Sequence, residues 1–208
     1  MLQEIKNILK VKAPSIVDAF QAGADEDSIA KLESLVGEKL PNDMKLLYRD
    51  SDGFSDEKFA NLFYGFPFIN LNKVMSIINS SETISDDTQL KYADDGIDSS
   101  YTHSKKRVPI GDDSGTSFIC VDLDPADGGV YGQVILVDYE MGVALRLNDS
   151  ISDLVREFED DLKQDKYKLQ EDALADGVHW LDPIRQIDPG NWFNSPRWQY
   201  VNEALKRR

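Results

Sequence analysis

Residues 108–147 read VPIGDDSGTSFICVDLDPADGGVYGQVILVDYEMGVALRL, and this stretch decides the fold. Val108-Pro109-Ile110 leads into a turn over Gly111–Gly115, and Ser117–Leu123 is an apolar strand. Asp124–Gly129 is a turn of residues that tolerate unusual backbone angles. Gly132–Tyr139 carries four consecutive aliphatics, Val134–Val137, and Val143–Leu147 follows after a short turn. Strands this close, joined by short turns, must be antiparallel neighbours, so the stretch predicts a β-meander.

Downstream, Ser150 with Asp153 has the form of a capping box, with Asp where the longer Glu reaches better. Ile151, Leu154, Val155, Phe158 and Leu162 then repeat at helical spacing, with Glu157, Glu159, Asp160 and Asp161 on the other face. Upstream, the polar stretch 80–107 holds Asp86-Asp87, Asp94-Asp95-Gly96 and Lys105-Lys106-Arg107 and predicts a long loop. Val74, Met75, Ile77 and Ile78 predict a short helix opened by Asn72, and the aromatics from Phe59 to Phe68 a strand or turn. Before them come four helices. Leu2, Ile5, Ile8 and Leu9 form the stripe of the first, and the second opens at Pro14. The third runs from the acids at 25–27 to Gly37. The fourth starts at Leu40-Pro41, with Pro41 in its first position, and closes at Asp52-Gly53.

The tail predicts further helices: one through Leu169 and Leu174 to Gly177, and starts at Asp182-Pro183 and Ser195-Pro196. Helices, then a meander, then helices define an α+β chain with a single antiparallel sheet flanked by helices. The expected division is an N-terminal helical segment 1–24, a central domain 25–163, and a helical C-terminal extension 164–208 packed on the same domain.

The three pieces that carry a family likeness occur in order. They are Leu40-Pro41 followed by Gly53; Val108–Gly111 with Gly115 and the strand ending Asp122-Leu123-Asp124-Pro125; and Gly132-Gln133-Val134-Ile135 before the amphipathic helix. Over about residues 25–163 the chain resembles the SUKH superfamily, which includes the Smi/Knr cell-wall-assembly regulators and many bacterial immunity proteins. Two features depart from that pattern. Lys106 and Arg107 precede the Val-Pro-Ile strand where relatives often carry tryptophan, and residues 164–208 lie beyond the usual module. The resemblance implies helices against one antiparallel sheet, a binding role that most often neutralises a toxin domain, and no catalytic residues to carry over.

Composition agrees with a binding role without requiring it. The chain has 41% hydrophobic and 29% charged residues and a net charge of −15. Residues 108–176 alone carry −12, whereas residues 177–208 carry +2. Such a field repels nucleic acid and anionic lipid and attracts basic surfaces. The first residues alternate charged and apolar side chains, and no apolar run approaches the ~20 residues that span a bilayer, so a cytoplasmic protein is expected.

The residue types that could carry chemistry have structural explanations. Asp122–Gly128 fails the calcium-loop pattern, with Ala126, Asp127 and Gln133 at positions 5, 6 and 12. His103 and His179 stand apart without zinc-ligand spacing. No serine sits in a Gly-x-Ser-x-Gly elbow, and the turn at 111–115 lacks a phosphate-loop lysine. Cys120 lies in an apolar run and reads as core. Trp180, Trp192 and Trp198 read as a core edge, with a binding platform as the alternative. No cofactor, metal or catalytic residue is therefore expected. The expected binding residues are Asp112, Asp113, Asp124, Asp127, Asp138 and Glu140, facing a basic protein such as a nuclease toxin domain. The alternatives are a Smi/Knr-like regulatory scaffold and, more remotely, a small hydrolase.

Overall fold

A computed structural model describes residues 1–81 and 88–206. Helix α1 (Gln3–Lys12) buries Ile5 and Leu9, and α2 (Pro14–Val17) opens on its proline. Helix α3 (Glu26–Val36) starts where Asp25 accepts the Ser28 N–H at 2.7 Å and ends at Gly37 in the left-handed region. Helix α4 (Asn42–Asp50) has Pro41 at its N-cap, one residue before the expected place. A single 3₁₀ turn, Phe63–Gly65, follows. Helix α5 (Leu71–Ser81) is capped by Asn70, whose side chain accepts the Lys73 N–H at 2.9 Å, and not by Asn72.

The main sheet holds β1 (Tyr92–Ala93), β2 (Arg107–Asp112), β3 (Ser117–Asp122), β4 (Gln133–Asp138) and β5 (Val143–Asn148), in the spatial order β1-β5-β4-β3-β2. Strands β2 to β5 form the expected antiparallel meander. Strand β1 adds a short parallel pairing, Tyr92 with Val143 and Ala93 with Ala144, so the sheet is mixed. Two residues are too few to show a strand period, which is why a loop was the natural expectation there. Asp86 and Asp87 of that stretch lie outside the described residues.

Helix α6 (Ile151–Lys163) closes the meander. The Ser150 hydroxyl accepts the Asp153 N–H at 3.1 Å and donates to the Asp153 carboxylate at 2.7 Å, so the short acid meets the cap's side chain. The extension differs from the all-helical expectation. It contains β6 (Tyr167–Leu169), α7 (Glu171–Ala175), β7 (Leu181–Pro183) and α8 (Pro196–Lys206), with β6 and β7 paired antiparallel. Asp182-Pro183 therefore ends a strand and opens no helix. Strands of three residues again leave no period to read.

Alternation along the strands explains the aliphatic run. Val134 and Leu136, with Ile119, Val121 and Leu145, join the large core shared with the helices, including Leu2, Leu9 and Phe158. Ile135 and Val137, with Phe118, Cys120 and Ala144, point to the opposite face and form a second small core under Leu90 and Ile97. The polar stretch before β2 is thus the cover of that second face. His103 lies flat on Tyr139 there, with ring centroids 4.1 Å apart.

Candidate interaction surface

The turns that join the strands place the acids. In the β2–β3 turn, Asp112 accepts the N–H groups of Ser114 and Gly115 at 2.9 and 2.7 Å, and its second oxygen is 3.8 Å from the Lys73 ammonium. Asp113 accepts the N–H groups of Thr116 and Ser117 at 3.0 and 2.7 Å. Asp138 accepts the Met141 N–H at 2.7 Å in the β4–β5 turn, beside the exposed Glu140. The antiparallel order puts these four residues at one end of the sheet.

Asp124 and Asp127 stand at the other end, roughly 20 Å away across strands of this length. Asp124 lies 3.4 Å from the Lys106 ammonium, which is equally close to Glu38. The six carboxylates therefore do not share one patch. Asp112 and Asp138 are buried and lock turns, Asp113 and Glu140 face solvent at the turn end, and Asp124 and Asp127 face solvent at the far end.

The family-type residues gather at that far end as a buried polar knot. Asp122 and Gln133 are opposite in register and fully buried. The Gln133 amide donates to the Asp122 carboxylate at 2.9 Å and to the Gly96 carbonyl at 2.8 Å, and its oxygen accepts the Val130 N–H at 3.1 Å. Burial pushes the Asp122 carboxyl above its ordinary range, against the Gln133 bond, the Asp124 N–H and the charge of Arg107.

Arg107 itself is 2% exposed. It donates to the carbonyls of Asp98, Tyr101 and Thr102, with its guanidinium 4.3 Å over the Tyr101 ring. Asp122 and Gln133 were legible through their motif. Arg107 was not, because it closes a run of three basic residues and looks like part of a polar loop. Its one hint is the apolar pair of β2 residues close behind it. Pro41 and Gly132 meet at the same end: at φ 86°, any Cβ on Gly132 would stand 2.7 Å from the Pro41 ring. Pro125 and Leu40 fill space there, and Gly53 and Gly115 take positive φ in their turns.

The histidines are structural contacts. The Ser15 hydroxyl is 2.7 Å from Nδ1 of His179 and accepts the His179 N–H at 3.0 Å, which ties α2 to the extension. Among the described residues no group of three or more His, Cys, Asp or Glu side chains could hold a metal ion. No helix among them is long and apolar enough to cross a membrane.

The extension docks through Asn61, which is fully buried. Its amide donates to the Gly65 and Leu181 carbonyls at 2.9 and 2.8 Å, and its oxygen accepts the Leu181 N–H at 2.8 Å. Nothing in the local sequence marked this residue. Trp198 is buried, as a core aromatic should be, whereas Trp192 is 38% and Phe193 77% exposed. Trp180 is half-buried beside a cleft between the 3₁₀ turn and the extension.

These features define a helix-backed α+β module built on a β-meander whose motif residues serve the scaffold and whose solvent-facing acids sit at the strand ends. Residues 23–162, well over half of the chain, match the SMI1 / KNR4 family (SUKH-1), and the chain belongs to that family, whose members are protein-binding modules. No curated protein matches the chain.

Proposed function

We propose that this protein is a non-catalytic immunity-type module that binds and neutralises a basic toxin domain, such as a nuclease. The observation that carries the reading is the −12 charge of residues 108–176 on a family scaffold that works by binding protein. At the far end the exposed Asp124 is paired with Lys106, whereas at the turn end Lys73 stands beside the buried Asp112. The turn end therefore makes the stronger binding face, with Asp113 and Glu140 outermost. There a basic active cleft would be steered in and blocked by the same contacts.

The test is association of the purified chain with a basic nuclease toxin domain, taken from a neighbouring gene where one is encoded, read as rate against salt and as protection from the nuclease activity. Reversing Asp113 and Glu140 to lysine together should slow association roughly tenfold at low salt. Reversing Asp124 and Asp127 should change it far less. A rate indifferent to salt and to both pairs removes the electrostatic reading.

A second reading, a Smi/Knr-like regulatory scaffold, draws on Phe193 and Tyr200. Both are more than 70% exposed and lie beyond the matched residues. A partner captured through that surface, with no toxin encoded nearby, would favour it.

A further inference from the structure

The seam between the family-matched residues and the extension encloses a pocket of about 160 Å³. Tyr64, Leu147 and Glu157 line it from the matched part, and Ile187, Asp188, Ser195 and Arg197 from the extension. Two of these polar side chains are more than nine-tenths buried, Tyr64 at 8% and Ser195 at 3% exposure. Among the described residues the Tyr64 hydroxyl has no hydrogen-bond partner. The Ser195 hydroxyl accepts the Arg197 N–H at 3.3 Å, where α8 begins, but donates to no described residue. Buried hydroxyls of this kind normally spend their proton on a partner.

Tyr64 is also strained. Its φ is 53°, and its N–H donates to the Tyr167 hydroxyl at 3.1 Å. A bulky residue holds that conformation only where its surroundings impose it, and such strain gathers at binding sites. Burial pushes the Tyr64 phenol far above the ordinary tyrosine range, with Glu157 adding to the rise and Arg197 opposing it. The polar tip of the ring therefore stays protonated and faces two charges that line the pocket.

Those charges have opposite signs. Glu157 is anchored through one oxygen by the Asn148 amide, and Asp188 through one oxygen by the Gly190 and Asn191 N–H groups. No described residue bonds the second oxygen of either. Arg197 spends one nitrogen on the Arg146 carbonyl and keeps further N–H groups. A lone carboxylate in the pocket would meet two hydroxyl donors, Arg197 and the positive end of α8, but also two acids. A lone amine would meet the reverse. A molecule that carries both groups satisfies every one of these side chains, and Leu147 and Ile187 leave an apolar wall for a short side chain. A cavity of about 150 Å³ holds benzene, and L-alanine has the same number of heavy atoms.

We propose that the seam pocket binds a small free α-amino acid, its carboxylate held by the Tyr64 and Ser195 hydroxyls and Arg197, its ammonium by Glu157 and Asp188. The site goes beyond the protein-binding reading and stands whether or not the partner is a toxin. Its ligand bridges the matched domain and the extension, so occupancy ties the docking of the tail to the supply of amino acid.

The test uses the full chain. L-alanine is titrated while the backbone amides of Ile187 and Arg197 are followed by NMR. Saturable shifts at both positions are expected, weakened roughly tenfold in Tyr64→Phe and in Arg197→Gln. Tyr64→Phe keeps the ring and removes only a hydroxyl without a partner in the described chain, so that variant folds even where Arg197→Gln disturbs the start of α8. Propionate and ethylamine, which each carry one of the two charges, should bind roughly tenfold more weakly, and L-tryptophan should be too large to enter. Shifts that never saturate, that survive Tyr64→Phe unchanged, or that appear equally with propionate, ethylamine or L-tryptophan overturn the site and leave the protein-binding reading untouched.

Discussion

Arg107 shows how one side chain can organise a stretch with little apolar content. Three carbonyls of the 98–102 segment converge on its guanidinium, which is sealed from water. Replacing it with methionine keeps the volume but leaves those carbonyls unpaired, at a cost of about 2–4 kcal/mol. Urea denaturation should show that loss, and amides around Ile97 should lose hydrogen-exchange protection first. Cys120 makes the opposite case. It is fully buried between the two faces' side chains, and burial pushes its thiol far up. It should resist a thiol reagent such as DTNB in the native protein and react at once in denaturant. Rapid labelling of the folded chain would contradict the burial.

Asp50 has a pH signature. Burial disfavours its ionised form, but the chain's amino group, the Leu2 N–H and the Lys6 ammonium outweigh that and hold its carboxyl low. A carboxyl lowered by folding stabilises above its unfolded value and loses that contribution as pH falls through the folded one. Asp50→Asn should cost about 1 kcal/mol at neutral pH, since the site is partly screened by solvent, and should flatten the fall in stability below about pH 4. Thermal melts of both proteins from pH 7 to pH 2 would check this, and parallel curves would count against it.

At the scale of elements, what was legible follows how strongly each one is patterned. The four meander strands and α6 were readable because apolar residues run together in the strands or recur at helical spacing in the helix, and turns punctuate them. Val134–Val137 is buried on both faces, where a strand with one wet face would alternate. What covers the second face was not readable, because Leu90, Ile97 and His103 are scattered through polar sequence. Strands β1, β6 and β7 were missed for the same reason: two or three residues hold no period. For the surface, the identity of the acids was plain but their grouping was not, because only strand order reveals that Asp113 and Asp124 face opposite ends. At Gly132 the prediction is geometric. Gly132→Ala should cost about 2 kcal/mol or more, since both the positive φ and the Pro41 ring oppose a methyl group. Chemical denaturation would read it, and a neutral effect would mean that the α4 start can shift.

At the scale of the molecule, one core runs from α1 through the sheet to α8, and Asn61 fastens the extension to it. Asn61→Leu leaves a buried N–H and carbonyl of Leu181 unpaired. It should cost about 2–3 kcal/mol and free the β6–β7 hairpin to protease before the meander opens. Coincident unfolding of both parts would show that the hairpin draws its order from elsewhere.

Both broad surfaces of the sheet are spoken for, one by helices and one by the strap before β2. Among the described residues, the tips of the strands and the appended tail carry exposed side chains that neither core holds. Those are the places where residues can be exchanged or inserted without repacking anything beneath. A molecule constructed this way can change the surface it presents while its interior stays the same.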